Sequence, residues 1–260
     1  MRDSWPRRIE RASELAARDE PTRPQLELYG RILALQRDCQ ASFDTQAAQL
    51  SGALDGDLDI VATHVPRILE QVAAMGPAQL AEDARQTIEA GDPAIRAMLL
   101  TAWRSPSDEY FFARIVLQCY GSCLALHDIR PVDRDLPRAG NVCPFCGGAP
   151  QVSILQHAPD TEGGGRLLQC GTCFTTWPFR RVLCVHCGED DERKLGYFHS
   201  DVFDHLRVDA CETCRHYVKS VDLTRLGLAV PIVDEVAGAP LDLWAHERRY
   251  EKIELNLVGL

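Results

Sequence analysis

This 260-residue chain has no long apolar run. Its most apolar stretch, YFFARIVLQCYGSCLAL at 110–126, is broken by Arg114 and Gln118. A membrane helix needs about 18 unbroken apolar residues, so no membrane span is expected. The first twenty residues hold arginines with no apolar segment behind them, unlike a secretory signal. The expected location is therefore cytoplasmic. A basic excess is missing as well: Lys and Arg number 28 against 38 Asp and Glu, a net charge of −10. From Gly140 onward the count is 12 against 17, so the acidity is not confined to one end. Nucleic-acid binding requires a basic footprint to neutralise phosphates, and no such partner is expected. No nucleophile elbow or Ser-His-Asp signature stands out. TEGGGR (161–166) has three glycines but no Lys-Ser/Thr after them, so it reads as a flexible hairpin tip and not as a phosphate loop. No catalytic residue is assigned.

What is present, 45% hydrophobic and 25% charged residues, is the composition of a folded globular protein. From about Ser4 to His127 the pattern is helical. In RPQLELYGRILALQRDC, Leu28, Ile32, Leu35 and Cys39 fall on one helical face. LDIVATHVPRILEQVAAM continues, with Pro66 marking a start or a kink. GPAQLAEDARQTIEAGDP is bracketed by breakers at Gly76 and Pro93. In SPSDEYFFARIVLQCYGSCLALH, a start signal opens a stripe of Phe112, Ile115, Cys119, Cys123 and Leu126. Five to seven helices in an irregular bundle are expected over 1–135. DIRPVDRDLPRAGN (128–141), with two prolines and little periodicity, reads as a linker, placing a boundary near residue 135. Short β-like runs such as QVSIL and RLLQC follow, and a final helix is expected from Pro240 to Glu254. The fold class is α+β and multidomain: a helical bundle, two tandem cysteine modules (136–180 and 181–222) and a C-terminal helical segment (223–260).

Eleven cysteines in a chain without an export signal point to metal or redox chemistry rather than disulfides. All eight after residue 140 form C-x2-C pairs: Cys143/Cys146, Cys170/Cys173, Cys184/Cys187 and Cys211/Cys214. Each cysteine of the first two pairs recurs 41 residues later, as do Arg166 at Arg207 and Gly147 at Gly188. The segment is a tandem repeat of C-x2-C-x23-C-x2-C. Two thiolates separated by a tight turn can face one ion, and a glycine after the second cysteine permits the positive φ that such a turn often requires. Two such knuckles complete a tetrahedral S4 site suited to zinc or a single iron. A module of about 40 residues buries little apolar surface, so the ion would supply much of its folding free energy. All eight are candidate metal ligands for two ions. Each repeat is expected to bind its own ion, with exchange of knuckles between repeats as the alternative. Four cysteines complete four-coordination, which argues against hydrolytic zinc.

The other tempting residues have plainer readings. Cys119, Cys123 and Cys39 lie on apolar stripes and read as small buried hydrophobes. His186, inside CVHC, reads as exposed or as support for a ligand, and His199 and His205 are not needed as ligands.

The run C-P-x-C-G (143–147), then C-x2-C followed by W-x3-R-x2-C-x2-C (Cys170, Cys173, Trp177, Arg181, Cys184, Cys187) and a last C-x2-C, resembles the FdhE-type formate dehydrogenase accessory proteins. The ending VDEVAGAPLDLWAHERRYEKIELNLVGL, with Tyr250 and the Asn-Leu pair, is similar too. The resemblance covers about Val142 to Leu260. It implies a non-catalytic cytoplasmic maturation factor with a helical domain and two rubredoxin-like or zinc-ribbon-like modules. It further implies iron as the favoured metal, zinc being compatible, and the catalytic subunit of a formate dehydrogenase as the partner. The eight cysteines carry over as ligands; Trp177 and Arg181 carry over as motif positions without a role. Two other readings compete with this one. An iron electron carrier would be red and cycle reversibly, and a zinc-ribbon nucleic-acid binder would show salt-sensitive affinity.

Overall fold

A computed structural model describes residues 4–18, 21–105, 110–134, 140–157, 164–199 and 202–259. The expected boundary at 135, most of the Ser-Pro-Ser-Asp start signal and the glycine tip at 161–163 lie outside the described residues. The helical region comprises α1 (Trp5–Arg18), α2 (Arg23–Gln46), α3 (Leu54–Ala62), α4 (Val65–Met75), α5 (Ala78–Arg104) and α6 (Phe111–Leu126). Pro66 falls in the first turn of α4, where its missing N–H costs nothing, so it starts a helix rather than kinking one. The kink comes in α5, where Gly91 takes φ 78° two residues before Pro93.

The buried stripe of α2 is Leu26, Tyr29, Ile32, Leu33, Gln36, Cys39, Gln40 and Phe43. Leu28 and Leu35, expected at its centre, sit at its margin. α6 is the central helix: Phe112, Ile115, Cys119 and Cys123 are buried as expected, whereas Leu126 is 69% exposed. Asp57 pins the bundle's α2–α3 loop. It is 2% exposed and accepts hydrogen bonds from the backbone N–H of Ser51 (2.8 Å) and Gly52 (3.1 Å) and from the Tyr120 hydroxyl (2.6 Å). The described part of the linker is packed down as well. Asp133 accepts from the Leu54 N–H (2.7 Å) and from Trp103 Nε1 (2.9 Å).

Six strands follow: β1 (Pro150–Gln156), β2 (Gly165–Cys170), β3 (Thr176–Phe179), β4 (Leu195–His199), β5 (Leu206–Cys211) and β6 (His216–Asp222). Together with β7 (Glu251–Lys252) they form one seven-stranded sheet in the order β3-β2-β1-β6-β5-β4, with β7 beside β6. Each cysteine repeat contributes an antiparallel three-stranded half. The halves join through the parallel pair β1–β6, in register Val152↔Lys219 to Leu155↔Asp222. The two modules therefore share a continuous backbone ladder. Pro178 lies on the edge strand β3, where it blocks further pairing.

The C-terminal segment differs from the single helix expected over Pro240–Glu254. It forms α7 (Pro231–Ala237) and α8 (Ala239–Glu247), turns through Arg249 at φ 61°, and enters β7. Buried ion pairs explain the turn. Lys252, brought inward by β7, meets Glu235 and Asp242 (3.2 Å to the latter), and Lys219 of β6 pairs with Glu235 at 3.0 Å and also with Asp242. Continuing the helix would carry Lys252 away from these carboxylates. Burial favours the neutral acid at Glu235, yet the flanking Lys219 and Lys252 ammonium groups hold its carboxyl down at about 2. A second clasp joins the two ends of the chain. Arg11 of α1 grips Asp234 of α7 with two hydrogen bonds (2.6 and 3.0 Å), and His205 Nε2 lies 3.0 Å from the same carboxylate.

Candidate metal centres

The structure gathers the eight cysteines into two groups that follow the repeat boundaries. Cys143, Cys146, Cys170 and Cys173 form one cluster; Cys184, Cys187, Cys211 and Cys214 form the other. Knuckle exchange between repeats does not occur. Within each cluster the knuckle at the repeat's start faces the knuckle at the end of its second strand. Sulfur pairs lie 3.5 Å apart in the first cluster (Cys143–Cys173 and Cys146–Cys170). In the second they lie 3.7 Å (Cys184–Cys214) and 3.8 Å (Cys187–Cys211) apart. A metal–sulfur bond of about 2.3 Å gives a tetrahedron with edges of about 3.8 Å, so four thiolates fit around one ion. Disulfides, at about 2.05 Å, do not fit these distances.

The knuckle backbone repeats atom for atom. The N–H of Cys143 donates to Gly148 O (2.9 Å) and that of Gly147 to Cys143 O (2.9 Å). Cys184 and Gly188 make the counterpart bonds to Glu189 O (2.8 Å) and Cys184 O (3.1 Å). Amides also point at sulfur: Thr172 N to Cys170 Sγ at 3.3 Å and His186 N to Cys184 Sγ at 3.4 Å. The residue after every second cysteine has positive φ: Gly147 at 72° and Gly188 at 76°, as the glycine signal suggested, but also Phe174 at 59° and Arg215 at 60°. Those two non-glycine residues carry strain that an ion in the cluster would hold in place.

Burial and then the neighbouring cysteines hold the Cys170 thiol far above its ordinary value, and at Cys173 the Cys143 sulfur leads the same upward push, while hydrogen bonding from the other three cysteines, Cys146 first, holds the Cys143 thiol well below its ordinary value. Four thiolates confined together repel one another, and a cation is what relieves the repulsion. The residues therefore fit a resident S4 metal ion, structural if zinc and capable of one-electron chemistry if iron. Each cluster could hold one ion.

The surroundings of the two clusters differ. All four cysteines of the first are at most 3% exposed. Helix α6 covers them, because Gly121 lets its backbone approach: a Cβ there would stand 3.2 Å from Thr172 O and 3.4 Å from Cys173 Cβ. Gln118 Nε2 donates to Gly171 O at 2.7 Å across the same contact. In the second cluster Cys187 is exposed and Cys214 half-buried. His186 and His216 stack beside it at 3.7 Å, with ring nitrogens near Cys214 Sγ.

Several features were missed or unassigned in the sequence. Arg166 is buried, donates to Ser153 Oγ (2.8 Å) and to the Leu183 carbonyl (3.2 Å), and pairs with Asp209 at 3.1 Å; Arg207 reaches that same carboxylate. The repeated arginines thus meet at the seam between the modules. Trp177 Nε1 donates to Gly140 O (2.9 Å), anchoring the chain just before the first knuckle. Arg181 lies at the surface against Gly164 O. His205 belongs to the Asp234 clasp and His199 is exposed; neither joins a cluster.

A helical domain fused to a sheet with two four-cysteine clusters defines a protein with two tandem candidate metal modules. Residues 142–181 match the family description "FdhE, central domain" and residues 182–258 match "FdhE, C-terminal domain". From residue 142 to residue 258 the chain matches the FdhE family. A protein FdhE homolog of Aquifex aeolicus is 41% identical over 119 residues, 46% of this chain and 42% of that protein. This chain therefore spans less than half of that relative's length. One from Shewanella oneidensis is 26% identical over 261 aligned positions, 91% of this chain and 82% of that protein. The crystal structure of the FdhE protein from Pseudomonas aeruginosa shares the fold at a TM-score of 0.72 and 22% identity, covering 100% of this chain and 96% of the other.

Proposed function

We propose that this protein is a cytoplasmic accessory factor that binds the catalytic subunit of a formate dehydrogenase and assists its assembly or activation, without turning over a substrate itself. Cys143, Cys146, Cys170 and Cys173 ligate one ion, and Cys184, Cys187, Cys211 and Cys214 ligate a second, iron being favoured over zinc by the family resemblance. The observation that carries the reading is the completeness of both donor sets in a chain that matches this family. Four sulfurs fill each tetrahedron and leave no position for a reacting water. The ions then stiffen a sheet locked to the helical bundle by the Arg11–Asp234 clasp, a rigid surface suited to holding a client. The net charge of −10 argues against a nucleic-acid partner.

The test is an anaerobic affinity capture of the tagged protein from its host, with partners identified by mass spectrometry. The catalytic subunit should be recovered with the native protein and lost with Cys143→Ser. Capture of redox donors without that subunit would sink the assembly reading. It would favour an electron carrier instead, a reading that the exposure of Cys187 supports. A carrier would be red as isolated and cycle reversibly, and a protein holding zinc alone rules that out.

A further inference from the structure

Beyond the eight paired cysteines, a third set of donors converges in the helical bundle. Cys123 and His127 stand one turn apart at the end of α6, a spacing that puts both side chains on one helix face. Asp44, near the end of α2, faces them. One ligand atom from each of the three lies within 4.8 Å of the other two, and His127 Nε2 is 3.3 Å from Asp44 Oδ1. We propose that Asp44, Cys123 and His127 form a third cation site, holding a zinc-like divalent ion by three protein ligands with the fourth position open to solvent.

Three observations carry this. The first is distance. Metal bonds of about 2.0–2.3 Å place tetrahedral donors roughly 3.3–3.8 Å apart. The imidazole–carboxylate pair already has that separation, and the sulfur lies within 4.8 Å of both. The second is the gradient of burial. Cys123 is fully buried, whereas the Asp44 and His127 side chains are 34% and 37% exposed. The thiolate forms the floor, and the ion enters past the two exposed donors. The third is support for the carboxylate. Gln40, 5% exposed, donates from Nε2 to Asp44 Oδ1 at 2.9 Å, while its Oε1 is buried without a hydrogen-bond partner. Metal-binding carboxylates are commonly held this way, and the outer partner fixes their orientation.

One sulfur, one imidazole and one carboxylate select a borderline ion such as Zn²⁺ or Co²⁺ over Ca²⁺ or Mg²⁺, which take all-oxygen sets. Three ligands with an open fourth position also distinguish this site from the saturated clusters. Its ion exchanges readily, and water occupies the fourth position.

The experiment titrates Co²⁺ into the full chain with both tetrathiolate clusters loaded with zinc. It follows ion count by native mass spectrometry and thiolate-to-cobalt charge transfer by absorption. The wild type takes up a third ion with a charge-transfer band for one thiolate. Asp44→Asn and His127→Ala, both at partly exposed positions, keep two zinc ions and weaken the third by at least ~10-fold. Cys123→Ala removes the charge-transfer band. The proposal is overturned if the wild type stops at two ions in excess Co²⁺, or if a third ion binds both surface variants as tightly as the wild type.

Discussion

The first cluster lies beneath helix α6 with its cysteines at most 3% exposed, while the second sits toward the other end of the same sheet with Cys187 in solvent. The two share a spacing, a knuckle hydrogen-bond pattern and a positive φ after each second cysteine. They differ in what was built around them. The first has Gly148, where a Cβ would stand 2.9 Å from Cys170 Sγ, and Gly121 of α6 above Cys173. The second has Glu189 at the position matching Gly148, and its carboxylate accepts from Thr213 Oγ1 (2.6 Å) and Lys194 Nζ (3.0 Å) at the surface. Spacing fixes the donor set, and packing fixes access to it. On this reading the buried cluster holds the two halves of the molecule together, and the exposed one faces whatever the protein meets.

The sharpest way to break that comparison is to remove one sulfur from each cluster at equivalent positions. Cys146→Ser and Cys187→Ser should each lose one metal equivalent. Losing a buried metal ligand costs about 4–5 kcal/mol, and each kcal/mol moves the midpoint of a chain this size by about 2–4 °C. Cys146→Ser should therefore lower Tm by roughly 10 °C or more, and Cys187→Ser by clearly less. Metal analysis and thermal melts decide it. Equal falls in Tm would show that the covering helix contributes nothing, and unchanged metal content in either variant would remove that cysteine from the ligand set.

Removal of metal separates the clusters kinetically. A chelator should strip the second ion at least ~10-fold faster than the first, because release of the first requires α6 to lift from the Gly171–Cys173 knuckle. Two phases of metal release, the faster one abolished in Cys187→Ser, are expected. A single phase for both ions would contradict the difference in access.

A smaller effect tests the packing itself. Gly148→Ala puts a methyl group against two cluster sulfurs and should cost about 1–3 kcal/mol, with slower or incomplete loading of the first cluster. The matching Glu189→Ala in the second module should leave both metal content and Tm nearly unchanged. If the two substitutions behave alike, the asymmetry of the clusters is only one of solvent exposure.

Much of this was legible in the chain because cysteine spacing is a local signal. The 41-residue offset located the clustered cysteines, the repeat boundaries and the seam arginines Arg166 and Arg207, although not their meeting at Asp209. Pro66 and the breaker at Pro93 were readable for the same reason, although Pro93 marks a kink inside α5 and not its end, and Gly91, which takes the positive φ, was not singled out. What the sequence hid is long-range. Nothing in VDEVAGAPLD announces that Asp234, Glu235 and Asp242 will be buried against Arg11, Lys219 and Lys252, since the pairing exists only after the fold brings them together. The same holds for the C-terminal helix, whose end is set by those buried ion pairs and not by helix propensity. The parallel β1–β6 junction left no periodic trace either.

The smallest expected effect separates the cysteines proposed as metal ligands from cysteines that only fill space. Cys119 is fully buried one turn before Cys123, and its thiol donates to the carbonyls of Ile115 (3.3 Å) and Gln36 (3.4 Å). A serine hydroxyl is smaller and more polar, but it can donate to Ile115 O in the same way, as serines in helices commonly do. Cys119→Ser should therefore cost about 1 kcal/mol from lost packing and partial desolvation of the hydroxyl, with the metal content of both clusters unchanged. A loss of metal comparable to that of Cys146→Ser would mean that Cys119 reaches the first cluster through α6. The distinction between a tetrathiolate centre and an ordinary helical core would then have to be redrawn.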